Sequence, residues 1–471
     1  MTNRFTLWER ISERLTKPVD PSGLAAFRFA FGLIGAVSAT RFLYYGWVQE
    51  LFIKPKFYFS YYGFEWVRVA PPSVMIALFA ALIVVSLMVA FGLFFRAAAV
   101  LFFLGFSYVQ LIDVTNYLNH YYLVSLISLL MALLPMNAAY SLDARLFRRV
   151  KRDHVPAAAV YLLRFQIGVV YTFAGLAKVN ADWLLHGHPL ELWLAARTGL
   201  PILGPLFAIP GMAVIMSWAG CLFDLTIAGW LSWSRSRPYA YAVVFAFHLV
   251  TSALFPIGMF PLIMTTAALI FFPPSWPRDL ARKTATRLGY TAEADRSTAP
   301  APLPSKKPQW LAPAFAVFCV YAAFQVLFPF RTHLYGGNVL WHEQGMRWSW
   351  RVMLREKNAS VTYRVENLET GKVVEVPPRK YLTPRQERDF STQPDMILQL
   401  GQKIAADYRL KLSTPVKVTA EVLVSLNGRR AALLIDPTVD LTQIQDSPWP
   451  ANWINPMPAE SPPDLTPVAM R

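Results

Sequence analysis

Cysteine is nearly absent. Two residues in 471, Cys221 and Cys319, both inside apolar runs, give no disulfide framework to read. Charge is scarce too: Asp, Glu, Lys and Arg make up 16% of the chain, and the acids are outnumbered 29 to 45. That is too little charge for a soluble chain of this length. The sequence has no H-E-x-x-H, no E-x-x-H pair of di-iron type, no Gly-rich phosphate loop and no G-x-S-x-G elbow. Of the histidines, His186-Gly-His188 lies on a loop beside no carboxylate but Glu191, so no metal is expected. Nucleic acid is not expected either, because no RNA- or DNA-reading motif accompanies the formal charge of +16. There is no internal repeat. A cleavable signal peptide is not expected, since residues 1–17 are mixed in charge and the first apolar run is long enough to remain as an anchor.

What the chain has is apolar sequence: 55% hydrophobic and 14% aromatic residues. The expectation is a polytopic α-helical membrane protein with about nine transmembrane helices and a C-terminal β-rich, sandwich-like domain outside the membrane. Residues 1–22 read as an amphipathic segment on the membrane surface, with Phe5, Leu7, Trp8, Ile11 and Leu15 at helical spacing. Residues 23–330 form the transmembrane domain. Its apolar runs fall at about 24–45, 72–94, 97–112, 121–136, 157–178, 210–233, 239–254, 257–272 and 310–328. Residues 46–71 are rich in Tyr, Phe and Trp and read as an interfacial belt in preference to a lid. Residues 273–309 read as a flexible charged loop. Nineteen Lys and Arg fall in the connections on one side and five on the other. By the positive-inside rule the N-terminus is cytoplasmic and the C-terminal domain lies outside.

Residues 331–446 change to alternating patterns. Ser360–Val365 and Lys372–Val376 flank a turn at Asn367–Gly371, residues 392–409 look helical, and 415–425 pairs with 430–435 across Asn427-Gly428. Residues 447–471 are Pro-rich and irregular.

The polar residues of the apolar domain collect at its outer end. Tyr171–Trp183 begins as membrane-grade sequence and then delivers Lys178, Asn180 and Asp182. A lysine there commonly snorkels to the headgroups; Gly175, one turn earlier, suggests room for a ligand. Asn119-His120 opens one span, where Asn119 suits an N-cap. His248 sits below the reversal Phe255–Phe260, where a histidine is ordinarily bonded within the bundle.

These segments carry a resemblance. The run Ala-Gly-x-x-Lys-x-x-Ala-Asp-Trp ending at Trp183, together with Asn119-His120, Phe247-His248, Leu254–Phe260, Phe328-Pro-Phe-Arg331 and Asp436–Asp440, resembles the vitamin K-dependent γ-glutamyl carboxylases, in the form of a bacterial homologue with a horizontally transferred transmembrane domain. The resemblance spans the chain from the first span to about Pro456. It implies an enzyme in which a lysine deprotonates a reduced vitamin K-type hydroquinone (menaquinol in a bacterium). Reaction with O2 then generates a base strong enough to remove a glutamate γ-proton, the carbanion captures CO2, and the quinone leaves as its 2,3-epoxide. Lys178 falls on the family's base, His120 on the histidine of the carboxylation step, and His248 on a further family histidine. Asn119, Gly175, Phe247, Thr251 and Met259 are expected to line the quinone site, and Arg347, Trp350 and Arg355 are candidates for recognising the glutamate carboxylate. The implied partners are membrane lipid, the quinone and a secreted Glu-containing peptide or protein.

A lysine that acts as a base must be neutral when it does so. Asp182, one turn beyond, would favour the charged form, so Asp182 is expected to turn away, to a cap or to Arg197. The chain also departs from the family. It lacks the long C-terminal extension and bridging cysteines of the animal enzymes, and Met346 and Arg355 stand where a Tyr and a His are expected. Two rival readings follow: a quinol epoxidase without carboxylation, and a transport or toxin-maturation protein on the same scaffold.

Overall fold

The computed structural model describes residues 6–201, 203–289 and 309–463. Helix α1 (Leu7–Thr16) begins at a reciprocal cap between Thr6 and Glu9, and its Trp8 packs on Phe315, 5.2 Å between ring centres. All nine apolar runs are helical: α2 (Ser22–Tyr44), α3 (Pro72–Phe91), α4 (Phe95–Leu111), α5 (Asn119–Leu133), α6 (Ala158–Ala177), α7 (Met212–Ser232), α8 (Arg237–Leu254), α9 (Phe260–Ala268) and α10 (Leu311–Leu327). Five are long and apolar enough to cross a membrane, namely α2, α3, α6, α7 and α10 with its 3-10 extension to Tyr335. Helices α4, α5 and α9 are apolar but shorter, so the expected count of nine spans does not follow from length. Helix α2 lies along α3, α6 along α7, and α4 along α5. Gly175 shows why α6 and α7 approach closely: a Cβ there would stand 2.8 Å from the backbone nitrogen of Leu225 and 2.7 Å from its side chain. The expected room for a ligand beside Gly175 is therefore filled by Leu225.

Residues 276–287, expected to lie in a flexible loop, form a helix whose Arg278 pairs with Asp20 at 2.9 Å. Residues 290–308 of that loop lie outside the described residues.

The outer domain is a single antiparallel sheet with a helix on one face, not the expected sandwich. Strands β1 (Lys357–Asn367), β2 (Val373–Val376), β3 (Val416–Leu426) and β4 (Ala432–Leu433) lie in the order β2-β1-β3-β4. Every second residue of β3 is buried, from Val416 to Leu426. That face packs on α11 (Pro394–Leu412) through Ile397, Leu400, Ile404 and Ala405. One helix covers the apolar face, so a second sheet has nothing left to bury.

The aromatic loop 46–71 holds this domain to the helices. Phe59 and Tyr61 are buried, Phe59 stacks on Phe390, Tyr61 on Trp348, and the Ser60 backbone exchanges two hydrogen bonds with the Gln399 amide. Phe59 and Tyr61 thus form a docking socket, while Tyr62 and Trp66 of the same loop stay exposed.

Candidate functional site

Helix α6 ends at Ala177, and Lys178 leaves it with its side chain buried, not snorkelling. Its Nζ donates to Asp224 Oδ2 at 2.8 Å and to the Ala174 carbonyl at 3.2 Å, and stands 5.3 Å from the centre of the Trp183 ring. Asp224 is the only charged residue of α7 and is buried as well. The sequence reading passed it over, although a lone acid inside an apolar span carries its own signal, because such a group needs a partner.

Asp182 turns away from Lys178, as expected, but its partner is not Arg197. Arg429 grips it with two bonds, 2.6 and 2.7 Å, and Asn427 adds a third at 2.7 Å. Burial pushes the Asp182 carboxyl up, but these bonds outweigh it and hold it below its ordinary value. Asp182 is thus a clamp between the end of α6 and the Asn427-Gly428 turn after β3. The neighbouring His188 is buried between Glu191, at 3.1 Å, and the Pro463 carbonyl, at 3.0 Å. Among the described residues no three His, Cys, Asp or Glu side chains gather as a metal site.

About two turns back along α6 lies an aromatic cluster. His248 Nε2 is 3.3 Å from the Tyr171 hydroxyl, Phe247 stacks on Phe223 with 4.0 Å between centres, and Thr251 donates to the His248 carbonyl at 3.1 Å. Phe223 precedes Asp224 and packs on Tyr171 and His248, so the lysine pair and the histidine share one wall. Phe260 lies 5.8 Å from both His248 and His120, ring centre to ring centre.

His120 faces a cavity of about 940 Å³ where the helices meet the outer domain. Asn119 and Met259 also line it; Lys178, His248, Gly175, Phe247 and Thr251 do not. Asn119 is not the expected N-cap. Its side chain accepts from Tyr117 at 3.0 Å and donates to the Arg351 carbonyl at 3.0 Å, which ties the first turn of α5 to the outer domain. Arg41, Arg197 and Arg385 reach the cavity wall, with Glu356 as the acid there. Below, an apolar slot that shares Phe42, Gln110, Tyr121 and Met259 with the cavity runs on between α2, α4 and α9, past Phe27, Phe31, Phe102 and Ile263. The slot is almost wholly apolar but narrow, about 50 Å³.

The residues expected to read a glutamate carboxylate are already engaged. Arg347 pairs with Asp395 at 2.5 Å and bonds Gln393; Arg355 pairs with Glu343 at 2.7 Å. Trp350 is buried and stacks on Tyr122, 4.8 Å between centres. Trp348, Trp350 and Met353 all take positive φ, so this segment is held in a sparsely populated conformation where it crosses from helices to sheet. The sequence reading also missed Asp113, which is buried and accepts from Gln386 at 2.8 Å and from Thr115. Burial pushes it up to about 6 despite those bonds.

Two family models match. Residues 16–276 match the HTTM domain, and residues 311–460 match the vitamin K-dependent gamma-carboxylase lumenal domain. No solved structure matches the chain. The boundary between the two matches falls where the helical bundle gives way to α10 and the sheet domain, and the lumenal match carries the Asn427–Arg429 turn that clamps Asp182. With one match covering more than half of the chain and the second most of the remainder, the chain belongs to the HTTM-domain family of vitamin K-dependent gamma-carboxylases.

Proposed function

We propose that this protein couples oxidation of a vitamin K-type hydroquinone by O2 to γ-carboxylation of glutamate in a peptide or protein, with the outer domain and the cavity on the periplasmic face of a bacterial inner membrane. The observation that carries the reading is the cavity itself. It places His120 and Asn119 beside an apolar slot on one side and beside Arg41, Arg197 and Arg385 on the other. A quinol and a carboxylate substrate have opposite needs, and this wall serves both. The hydroquinone, on reaction with oxygen, supplies the base that takes the γ-proton.

The chain's own residues have separable tasks in this account. The apolar slot, about 50 Å³ as it stands, widens to take the tail and excludes water. Arg197 and Arg385 hold the substrate carboxylate, in place of Arg347 and Arg355, whose charges are met by Asp395 and Glu343. His120 serves the carboxylation step at the cavity wall. Lys178 takes the hydroquinone proton. Since Asp224 already engages its Nζ, the proton acceptor is the pair and not the amine alone. Lys178 does not line the cavity, so the proton reaches it through the bundle wall that Tyr171, His248 and Phe260 help to form.

A second reading, quinol epoxidation without carboxylation, draws on the engagement of Arg347 and Arg355. Purified protein given hydroquinone, oxygen, labelled CO2 and a glutamyl peptide separates the two. Epoxide with incorporated label supports the coupled reaction, epoxide without label supports the second reading, and neither product removes both.

A further inference from the structure

The end of the bundle away from the outer domain carries a second opening, of about 470 Å³, that the proposed reaction does not use. It lies where α5 ends, at Pro135 and Asn137, and where α4 begins, at Phe94 and Phe95. Three guanidinium groups, Arg96, Arg149 and Arg152, line it. The one acid in its wall, Asp143, makes no ion pair with them. Asp143 accepts from the backbone nitrogens of Phe94 (2.7 Å) and Phe95 (2.9 Å) and from the Asn137 amide (2.8 Å), so its oxygens are committed to the α3–α4 turn. Nor is the basic wall a loose loop. The Arg152 backbone donates to the Ala138 carbonyl at 3.0 Å and Val150 to the Phe147 carbonyl at 2.9 Å, which folds residues 147–152 back onto the end of α5.

The rim beside these charges is apolar. Phe94 is 55% exposed, Phe147 38% and Leu146 62%, and Phe94 and Phe147 lie 6.3 Å apart, ring centre to ring centre. Three guanidinium groups with no ion-pair partner among the described residues ask for a phosphate. Exposed phenylalanines, Phe94 at the start of α4 and Phe147 after the short helix Leu142–Leu146, ask for the glycerol and first methylenes of a lipid. A soluble phosphate would use the first feature and leave the second exposed to water.

We infer that the Arg96–Arg149–Arg152 opening is a binding site for the phosphate headgroup of an anionic phospholipid, seated at the face of the membrane opposite the outer domain.

The test uses the full chain purified in detergent, titrated with phosphatidylglycerol or phosphatidylcholine and read by native mass spectrometry. The chain is expected to retain phosphatidylglycerol selectively, and Arg96→Gln/Arg149→Gln/Arg152→Gln is expected to weaken that retention by more than about tenfold. The control Arg282→Gln/Lys283→Gln/Arg287→Gln, on the exposed helix at 276–287, is expected to keep it. All six positions are on the surface, so folding is not at stake. Equal retention by the triple variant, or equal retention of phosphatidylcholine, overturns the site. Displacement of the lipid by millimolar inorganic phosphate overturns the choice of lipid and assigns the opening to free phosphate.

Discussion

Lys178 Nζ and Asp224 Oδ2 meet at 2.8 Å, both buried, between two helices that a glycine lets approach closely. The family resemblance names the lysine; the structure adds the aspartate, and the two have to be treated as one unit. Removing one partner leaves an uncompensated charge in an apolar wall. Asp224→Leu and Lys178→Met are each expected to lower stability by roughly 3–5 kcal/mol, and the double variant to recover most of the loss. Thermal unfolding in detergent checks this, and additive losses in the double variant would show that the pair is not coupled.

His120 lines the cavity and Lys178 does not, and that separation has a kinetic consequence. His120→Ala is expected to reduce labelled CO2 incorporation by about 100-fold or more, with epoxide formation falling far less, since a general acid–base group contributes about 10²–10⁴-fold. Lys178→Ala is expected to abolish both products. Parallel loss of both in His120→Ala would place His120 in the oxidation step.

The substrate carboxylate is assigned to Arg197 and Arg385. Arg197→Gln and Arg385→Gln are expected to raise KM for a glutamyl peptide by about tenfold each while leaving KM for the hydroquinone unchanged. Arg355→Gln, which breaks the pair with Glu343, is expected to act on stability before it acts on KM.

Two buried carboxyls make stability depend on pH with opposite signs. Asp113 is raised to about 6, so the folded state holds its proton more tightly than the unfolded chain does. Its contribution is full below about pH 4 and is lost as pH rises through about 6. Asp182 is depressed by Arg429 and Asn427, so its contribution is present above about pH 4 and lost as pH falls further. Asp113→Asn keeps a carbonyl for the Thr115 bonds and is expected to remove the loss of melting temperature between pH 4.5 and 6.5. Arg429→Ala is expected to loosen the outer domain, read as faster proteolysis near Asn427. A wild-type melting temperature flat from pH 4.5 to 6.5 would contradict the assignment for Asp113.

Much of this arrangement is legible in the residues. Apolar runs of helical length place nine helices, five of them long and apolar enough to cross a membrane, and the Asn367–Gly371 turn and the Asn427-Gly428 turn mark the sheet. Lys178, His120 and His248 stand out because polar groups at a membrane edge are costly. What the sequence does not disclose are partners distant in the chain: Asp224 for Lys178, Arg429 for Asp182, Gln386 for Asp113, Arg351 for Asn119. No local pattern encodes a contact across 247 or 273 residues. The Gly175 reading failed for a related reason: a glycine marks close approach, but only packing tells whether a ligand or a neighbouring leucine fills the space.

The most direct test of the account is the coupling of the two products in one reaction. Purified protein given vitamin K hydroquinone, oxygen, a glutamyl peptide and labelled CO2 should yield quinone epoxide and acid-stable label in the peptide together, both absent in Lys178→Ala. Epoxide formed at full rate with no label, at saturating peptide and CO2, would contradict the coupled reaction.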